Sequence, residues 1–364
     1  MTQVEPMRVG ILTGGGDCPA LNAVIRAAVK TSVGFGWEVL GIEEGFNGLV
    51  QCKTRPLNAA NVSGILHLGG TILGTTNSAN PFCYPIPGEG GCIAECDISG
   101  TVVENFRKLR LEALIVIGGD GTLNIAEKFY QKGIPLVGVP KTIDNDIEGT
   151  VTTFGFDTAV NTARDALDKL HTTAESHRRV IVVEVMGRHA GWIAVHSGIA
   201  GGADIILIPE IPYDIEKVAH SIMTRERLGK HFSIVVVAEG AFPQGGELTH
   251  AEAKQAGREW RLGGVGERVA SAITELTGKE TRLVVLGHLQ RGGQPTTFDR
   301  VLGTRFGAAA ARLVRKGAFG RMVALVPPDV ESVPIREAIG RMKTVPIDND
   351  IIESAREIGI GFGD

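Results

Sequence analysis

Residues 111–122 read LEALIVIGGDGT, and this stretch decides the fold. Leu111–Ile117 is an almost continuous apolar run without polar alternation, as a strand covered on both faces requires. Gly118, Gly119, Asp120, Gly121 and Thr122 then interrupt it, and helical spacing begins at about Leu123. Upstream, Arg8–Thr13 (RVGILT) meets the loop Gly14–Asp17 and a helical stretch Ala20–Val33. Downstream, Ile134–Val139 (IPLVGV) ends at Pro140. Val180–Val185, Asp204–Ile208, Ser233–Ala238, Arg282–Leu286 and Arg321–Val326 have the same strand character. Helical segments separate most of these runs, so the pattern predicts an α/β protein with mainly parallel sheets. A chain of 364 residues is long enough for two lobes. Asn77–Gly100 and Pro243–Gly257, rich in Gly, Pro and polar residues, read as surface excursions.

Composition narrows the function classes. With 41 acidic and 37 basic residues the net charge is -4, which gives no reason to expect a nucleic-acid partner. Three tyrosines supply little stacking surface, and no apolar run approaches the roughly 20 residues of a membrane span. The N-terminus lacks a basic segment followed by an apolar core, and the cysteines number five, an odd count. Free thiols in a reducing cytoplasm are expected. Cys83, Cys92 and Cys96 lie close together, but no second ligand pair follows at zinc spacing, so unrelated loop thiols are expected.

Ligands of open α/β sheets bind at the carboxyl ends of strands. The segments in that position are Gly14–Asp17, Gly118–Thr122, Pro140–Asp146, Met186–Arg188, Glu239 and Gly287–Gly293. Six polar or glycine clusters converging on one sheet edge predict an active site. Glycine lets the backbone approach a ligand, and a following helix presents free N–H groups to phosphate. A tight turn without a ligand explains either glycine cluster equally well when it stands alone. Neither is a Walker A loop, since no Gly-Lys-Ser/Thr follows. Asp120, one carboxylate at a helix start, suits a magnesium ion shared with phosphate oxygens. Asp144 and Asp146, beside Lys141 and Thr142, offer a base for a hydroxyl proton, although Asp and Asn also favour plain turns. Arg179, Arg188, Arg282, His288 and Arg291 form the cationic set for a phosphate dianion.

Taken in order, GGGD, GGDGT, PKTIDND, MGR and GHLQRGG resemble the phosphofructokinase family from Arg8 to about Gly317. The resemblance implies two Rossmann-like lobes. It places residues of about 1–155 plus 290–340 in the phosphate-donor lobe, and about 156–289 plus 341–364 in the fructose 6-phosphate lobe. It implies phosphoryl transfer from ATP to the 1-hydroxyl of fructose 6-phosphate, with Mg2+ as cofactor. Asp144 matches the family's base, and Asp120 its metal-binding carboxylate. Gly16 and Gly121 match positions lining the donor phosphates, with Gly119, Thr122 and Lys141 beside them. Thr142, Asp146, Met186, Gly187, Arg188, Glu239, His288 and Arg291 fall in the sugar-phosphate pocket. Arg179 and Arg282 match arginines that reach the 6-phosphate from an adjacent subunit, which implies a homo-oligomer, dimer or tetramer.

Two positions depart from common ATP-using members. Asn77 stands where many carry a donor-contacting arginine, and Lys141 is typical of pyrophosphate users. Gly121, by contrast, is typical of ATP users, because an aspartate there would crowd and repel the nucleotide's α-phosphate. Steric permission favours ATP; a reversible pyrophosphate-dependent enzyme is the alternative. A non-catalytic sensor paralogue is a further alternative, opposed by the presence of Asp120, Asp144 and Arg188. An NAD or lipid kinase would share GGDGT but not TIDND or HLQRGG. Arg26, Lys30, His171 and Asp204 fall where bacterial relatives bind regulatory ligands, although a solvated helix face explains Arg26 and Lys30 as well.

Overall fold

The structure is a computed structural model that describes residues 6–87, 93–246, 250–252 and 261–364. Its strands are β1 (Arg8–Gly14), β2 (Glu38–Ile42), β3 (Thr54–Leu57), β4 (Tyr84–Pro87), β5 (Ile93–Cys96), β6 (Ala113–Gly118), β7 (Leu136–Pro140) and β8 (Val180–Val185). Then come β9 (Ile205–Leu207), β10 (Ser233–Ala238), β11 (His250–Glu252), β12 (Arg261–Leu262), β13 (Thr281–Val285), β14 (Arg321–Val326) and β15 (Asp329–Pro334). The helices are α1 (Leu21–Gly34), α2 (Phe46–Gln51), α3 (Ser99–Lys108), α4 (Asp120–Gln131), α5 (Phe156–His177) and α6 (Trp192–Ala200). They continue with α7 (Ile215–Arg227), α8 (Val265–Thr277), α9 (Thr297–Arg315), α10 (Ile335–Ala338) and α11 (Asp350–Glu357). A 3-10 turn covers Gly287–Arg291.

Two sheets organise the chain. The larger has the order β15-β14-β7-β6-β1-β2-β3, and the smaller β13-β8-β10-β9. The four-stranded sheet is wholly parallel. The seven-stranded one is parallel except at its edges, where β3 and β15 pair antiparallel. The expected single sheet edge is therefore corrected to two. Three of the six loop clusters leave the large sheet and three leave the small one. Hydrophobic pattern alone does not say which buried strand pairs with which.

Apolar side chains on both faces of each sheet explain why the runs lack alternation. Ile115 and Val137 of the large sheet, Ala159 and Leu167 of α5, and Ile181 and Val236 of the small sheet belong to one buried cluster. The opposite face of the large sheet packs Leu114 and Val116 on Leu123 and Phe129 of α4. The opposite face of the small sheet packs Val182 and Val235 with Val218 of α7 and Val269 of α8. Each fully buried Val, Leu, Ile or Phe side chain among them contributes about 1.5–3 kcal/mol of transfer free energy. The shared cluster makes the two sheets one packed unit, with α5 carrying the chain from one to the other.

Helices α1 and α9 pack backbone to backbone. A Cβ at Gly307 would lie 2.3 Å from the Val24 carbonyl oxygen, so only glycine admits this approach. Helix α4 starts at Asp120, earlier than the expected Leu123, because extended Gly119 already serves as its N-cap. The segment Asn77–Gly100, expected to be a loop, holds the antiparallel pair β4–β5. In the second excursion β11 pairs with β12, while residues 247–249 and 253–260 lie outside the described ones. Cys92 also lies outside them. Cys83 donates to Glu95 Oε2 at 2.5 Å, and Cys18, Cys52, Cys83 and Cys96 are free thiols.

Candidate active site

The carboxyl ends of β1, β6 and β7 face those of β8, β10 and β13, and the polar clusters meet between them. From β1 comes the glycine loop. A Cβ on Gly14 would sit 2.7 Å from the Thr122 methyl, and one on Gly118 2.3 Å from Thr122 Cβ. These glycines let Thr122, itself buried, wedge between two strand ends. Residues 74–76 run beside this loop: Gly15 N–H donates to the Thr76 carbonyl at 3.2 Å, and Thr75 Oγ1 donates to the Gly15 carbonyl at 2.5 Å. Asn77 Oδ1 stands 4.0 Å from where a Gly15 Cβ would be.

Asp120 and Gly121 are exposed at the mouth of the large sheet. Asp120 Oδ2 accepts from Asn124 Nδ2 at 3.1 Å, one turn along α4. A Cβ on Gly121 would meet nothing within 4 Å, so the residue borders open space. Among the described residues no three His, Cys, Asp or Glu side chains cluster as a metal cage. A hard cation at Asp120 would thus draw most of its oxygens from phosphate and water, the coordination magnesium favours.

Beyond β7 the chain turns inward, and Lys141, Thr142, Asp144, Asn145 and Asp146 are all buried. Lys141 Nζ donates to the Gly16 carbonyl oxygen, tying the two large-sheet loops together. Burial holds its pKa below the ordinary lysine value. Thr142 Oγ1 accepts from the Asp144 N–H at 3.0 Å and lies 3.4 Å from Asp144 Oδ2. Asp144 Oδ1 is buried with no hydrogen-bond partner among the described residues. Desolvation, reinforced by Asp146 and opposed by Arg291, Arg188 and Lys141, raises the Asp144 carboxyl to about 6. A buried, half-satisfied carboxyl facing three cations is costly to a resting fold, and such groups mark sites of proton transfer.

The small sheet supplies the opposing wall. Arg188 adopts φ +52° and Gly187 φ +148°, and Arg188 N–H donates to Glu239 Oε1 at 3.0 Å. A Cβ on Gly240 would lie 1.9 Å from the Arg188 carbonyl oxygen, so glycine there permits the two loops to touch. Burial raises Glu239 to about 7, despite the N–H donors of Arg188 and Gly187. Met186 N–H donates to Gln290 Oε1 at 2.8 Å, which locks the loop Met186–Arg188 to the 3-10 turn. Arg291 crosses to the large sheet: its Nη1 donates to the Asp17 carbonyl at 3.1 Å and would crowd a Gly16 Cβ at 2.9 Å. His288 is exposed on the same turn.

Arg179 and Arg282 do not join this group within one chain. Both stand at the amino ends of their strands, at the far end of the small sheet from Arg188 and Glu239. There they share Glu280 Oε1, at 3.3 and 2.6 Å. Of the four residues expected at a regulatory site, His171 Nε2 contacts the Gly201 carbonyl at 2.7 Å, and Asp204 pairs with Arg225 at 2.7 Å. Arg26 is partly buried on α1, and Lys30 is exposed.

Gln290, Gly240, Glu210 and Lys343 shape the site without having been singled out from the sequence. Gln290 sits inside the HLQRGG motif, where the motif itself was the available signal. The others act through contacts distant in sequence that no local pattern announces.

The family model described as Phosphofructokinase matches residues 8–314. A relative from Chloroflexus aurantiacus, named ATP-dependent 6-phosphofructokinase, is 52% identical over 361 residues, covering 99% of each chain. One from Streptomyces coelicolor, named pyrophosphate–fructose 6-phosphate 1-phosphotransferase, is 50% identical over 98% of this chain and 100% of its own. Among solved structures, the phosphofructokinase of Saccharomyces cerevisiae superposes with a TM-score of 0.78 at 30% identity, covering 91% of this chain and 45% of that one. A match over nearly the whole length, on the motifs that build the cleft between the two sheets, means that the chain belongs to the phosphofructokinase family.

Proposed function

We infer that the chain catalyses transfer of the γ-phosphoryl group of ATP to the 1-hydroxyl of fructose 6-phosphate, giving fructose 1,6-bisphosphate and ADP. One observation carries this reading beyond family membership. Asp144 is a buried carboxyl with a free oxygen, raised to about 6, between a glycine-lined wall and a cationic wall.

Asp144 takes the proton of the 1-hydroxyl as that oxygen attacks the γ-phosphorus. A base tuned towards neutral pH is ionised at pH 7 yet basic enough to accept a proton. Thr142 orients it. Arg188 and Arg291 offset the charge that spreads over the transferring group. Backbone at Gly16, Gly119 and Gly121, with Thr122 and Lys141 beside it, cradles the donor phosphates. Asp120 would hold Mg2+, which when bound neutralises phosphate charge. Asp146, Met186, Gly187, Glu239 and His288 position the sugar phosphate. Residues of about 1–155 plus 290–340 form the donor lobe, and about 156–289 plus 341–364 the acceptor lobe. Arg179 and Arg282, turned away from their own chain's cleft, serve the site of a neighbouring copy, so the working enzyme is a homo-oligomer. It belongs in the cytoplasm, in glycolysis; among the described residues no helix is long and apolar enough to cross a membrane.

Pyrophosphate is the second reading, favoured by Lys141 and by the Streptomyces coelicolor relative. ATP is better supported: the space at Gly121 accommodates a nucleotide's α-phosphate, and the Chloroflexus aurantiacus relative carries an ATP-dependent name. A coupled assay of fructose 1,6-bisphosphate formation with ATP, ADP or pyrophosphate tests both. ATP alone is expected to support turnover. Turnover with pyrophosphate alone would reverse the donor assignment, and silence with all three would favour a sensor.

A further inference from the structure

We propose that Lys343, near the C-terminus, is a positioning residue that holds the Asp144 loop in register with the loop Met186–Gly191 across the cleft. This rests on the phosphoryl-transfer reading above. Lys343 Nζ donates to Asn145 Oδ1 at 3.2 Å, the Thr150 carbonyl at 3.1 Å and the Val151 carbonyl at 2.6 Å. An ammonium has three donors and no acceptor, so this tripod uses all of them. Its backbone N–H donates to the Asp146 carbonyl at 3.0 Å.

The first of these acceptors matters most. Asn145 lies between the two buried aspartates in the left-handed region, at φ +55°. That conformation aims Asp144 and Asp146, and a side-chain anchor sustains it at a residue other than glycine. Asn145 Oδ1 receives only two protein donors among the described residues, Lys343 Nζ and the Thr153 N–H at 3.1 Å. Thr153 belongs to the same loop and moves with it, so Lys343 is the anchor from outside.

The same residue is fixed on the acceptor side. Trp192 Nε1 donates to the Lys343 carbonyl at 2.9 Å, and the ammonium lies 5.2 Å from the Trp192 ring centroid, a cation–π contact. Trp192 opens α6, four residues after Arg188. Two residues further along, Val345 N–H donates to Glu210 Oε1 at 2.8 Å, and Glu210 also accepts from the Gly191 N–H at 3.0 Å. Residues 343–345 thus fasten the base-bearing loop of the large sheet to the start of α6 in the small one. A misplacement of about 1 Å between reacting groups can cost on the order of 100-fold in rate.

The test is a double-mutant cycle in the full-length protein, read as kcat and fructose 6-phosphate KM with saturating ATP. Wild-type turnover in the same assay confirms the parent reading; its absence would strike that reading rather than this one. Lys343→Met should lower kcat by about tenfold or more, with KM changed less than about threefold, since it disturbs alignment more than binding. Asn145→Gly keeps the left-handed backbone and removes the acceptor. Combined with Lys343→Met it should lose little beyond the worse single variant, because the effect of both on alignment runs through the contact they share. Lys343→Arg, which keeps charge and donors, should recover most of the rate. Multiplicative losses in the double variant, a KM effect alone, or kcat within about twofold for Lys343→Met would each overturn the proposal. Cooperative melting is checked for every variant. Should Lys343→Met not fold, Lys343→Gln takes its place in the same cycle, with the same expectations.

Discussion

Asp144→Asn is expected to make the protein more stable while nearly abolishing its turnover. The carboxyl moves from 3.8 to about 6 on folding, chiefly through desolvation. Folded protein therefore binds more protons than unfolded chain between about pH 4 and pH 6, and stability falls as pH rises through that window. Above it the ionised, buried carboxylate destabilises the fold by at most about 3 kcal/mol, from roughly two pH units at 1.36 kcal/mol each. Asparagine has no proton to lose and escapes the penalty. At pH 5 only about half of the penalty is present, so the variant's advantage should grow by roughly 1–2 kcal/mol between pH 5 and pH 7.5. Urea melts of both proteins at the two pH values measure this directly. Loss of a general base should lower kcat by about 100- to 10,000-fold, with fructose 6-phosphate binding largely kept. An equal melting midpoint at both pH values together with kcat within tenfold of wild type would refute the assignment. So would lost binding with preserved kcat.

The wild-type enzyme should show an acid limb in kcat/KM with an apparent pKa near 6, set by the burial that raises Asp144 and absent from the residual rate of Asp144→Asn. Gly118→Ala forces a Cβ to within 2.3 Å of Thr122 Cβ and should lower stability by about 1–3 kcal/mol on thermal melting. Gly121→Asp faces open space; it should melt like wild type yet lose most ATP-dependent turnover in initial-rate assays, and unchanged ATP kinetics would contradict the donor geometry. Arg282 is 61% exposed and paired with Glu280, so Arg282→Ala should shift stability by less than about 0.5 kcal/mol. Its fructose 6-phosphate KM should still rise about tenfold, and mixed oligomers of Arg282→Ala with Asp144→Asn should turn over low fructose 6-phosphate faster than the two separate homo-oligomers together.

Interior strands with continuous apolar runs were legible because they are buried on both faces; interior β2, EVLGI, was not singled out. The runs Val180–Val185, Ser233–Ala238 and Arg321–Val326 coincide with β8, β10 and β14 residue for residue. The edge strands of the large sheet were not legible: β3 is TRPL, and β15, DVESVP, mixes acids, serine and proline, whereas the small sheet's edges, β9 and β13, carry apolar runs and were read as strands. A strand with one solvated edge and few apolar residues has no continuous pattern to read. The site divides the same way. Asp120, Asp144, Arg188 and Glu239 stood out because each follows a strand end directly in sequence. Lys343 reaches Asn145 over a separation of 198 residues, and Glu210 reaches Val345 over 135. Partners brought together only by tertiary packing leave no trace in spacing.

The order of strands in the large sheet has a consequence for synthesis on the ribosome. Strands β1 and β7 emerge early, but β14, which closes that sheet beside β7, comes after the whole small sheet has been made. The small sheet draws its four strands from one unbroken stretch, 180–285, and can assemble while the earlier half still awaits β14 and the glycine face of α9. At about 5–20 residues per second, roughly 9–36 s separate the last residue of β7, Pro140, from the first of β14, Arg321. Through that interval the β7 edge is an open template for pairing. That edge is closed only when β14 has emerged and docked beside β7.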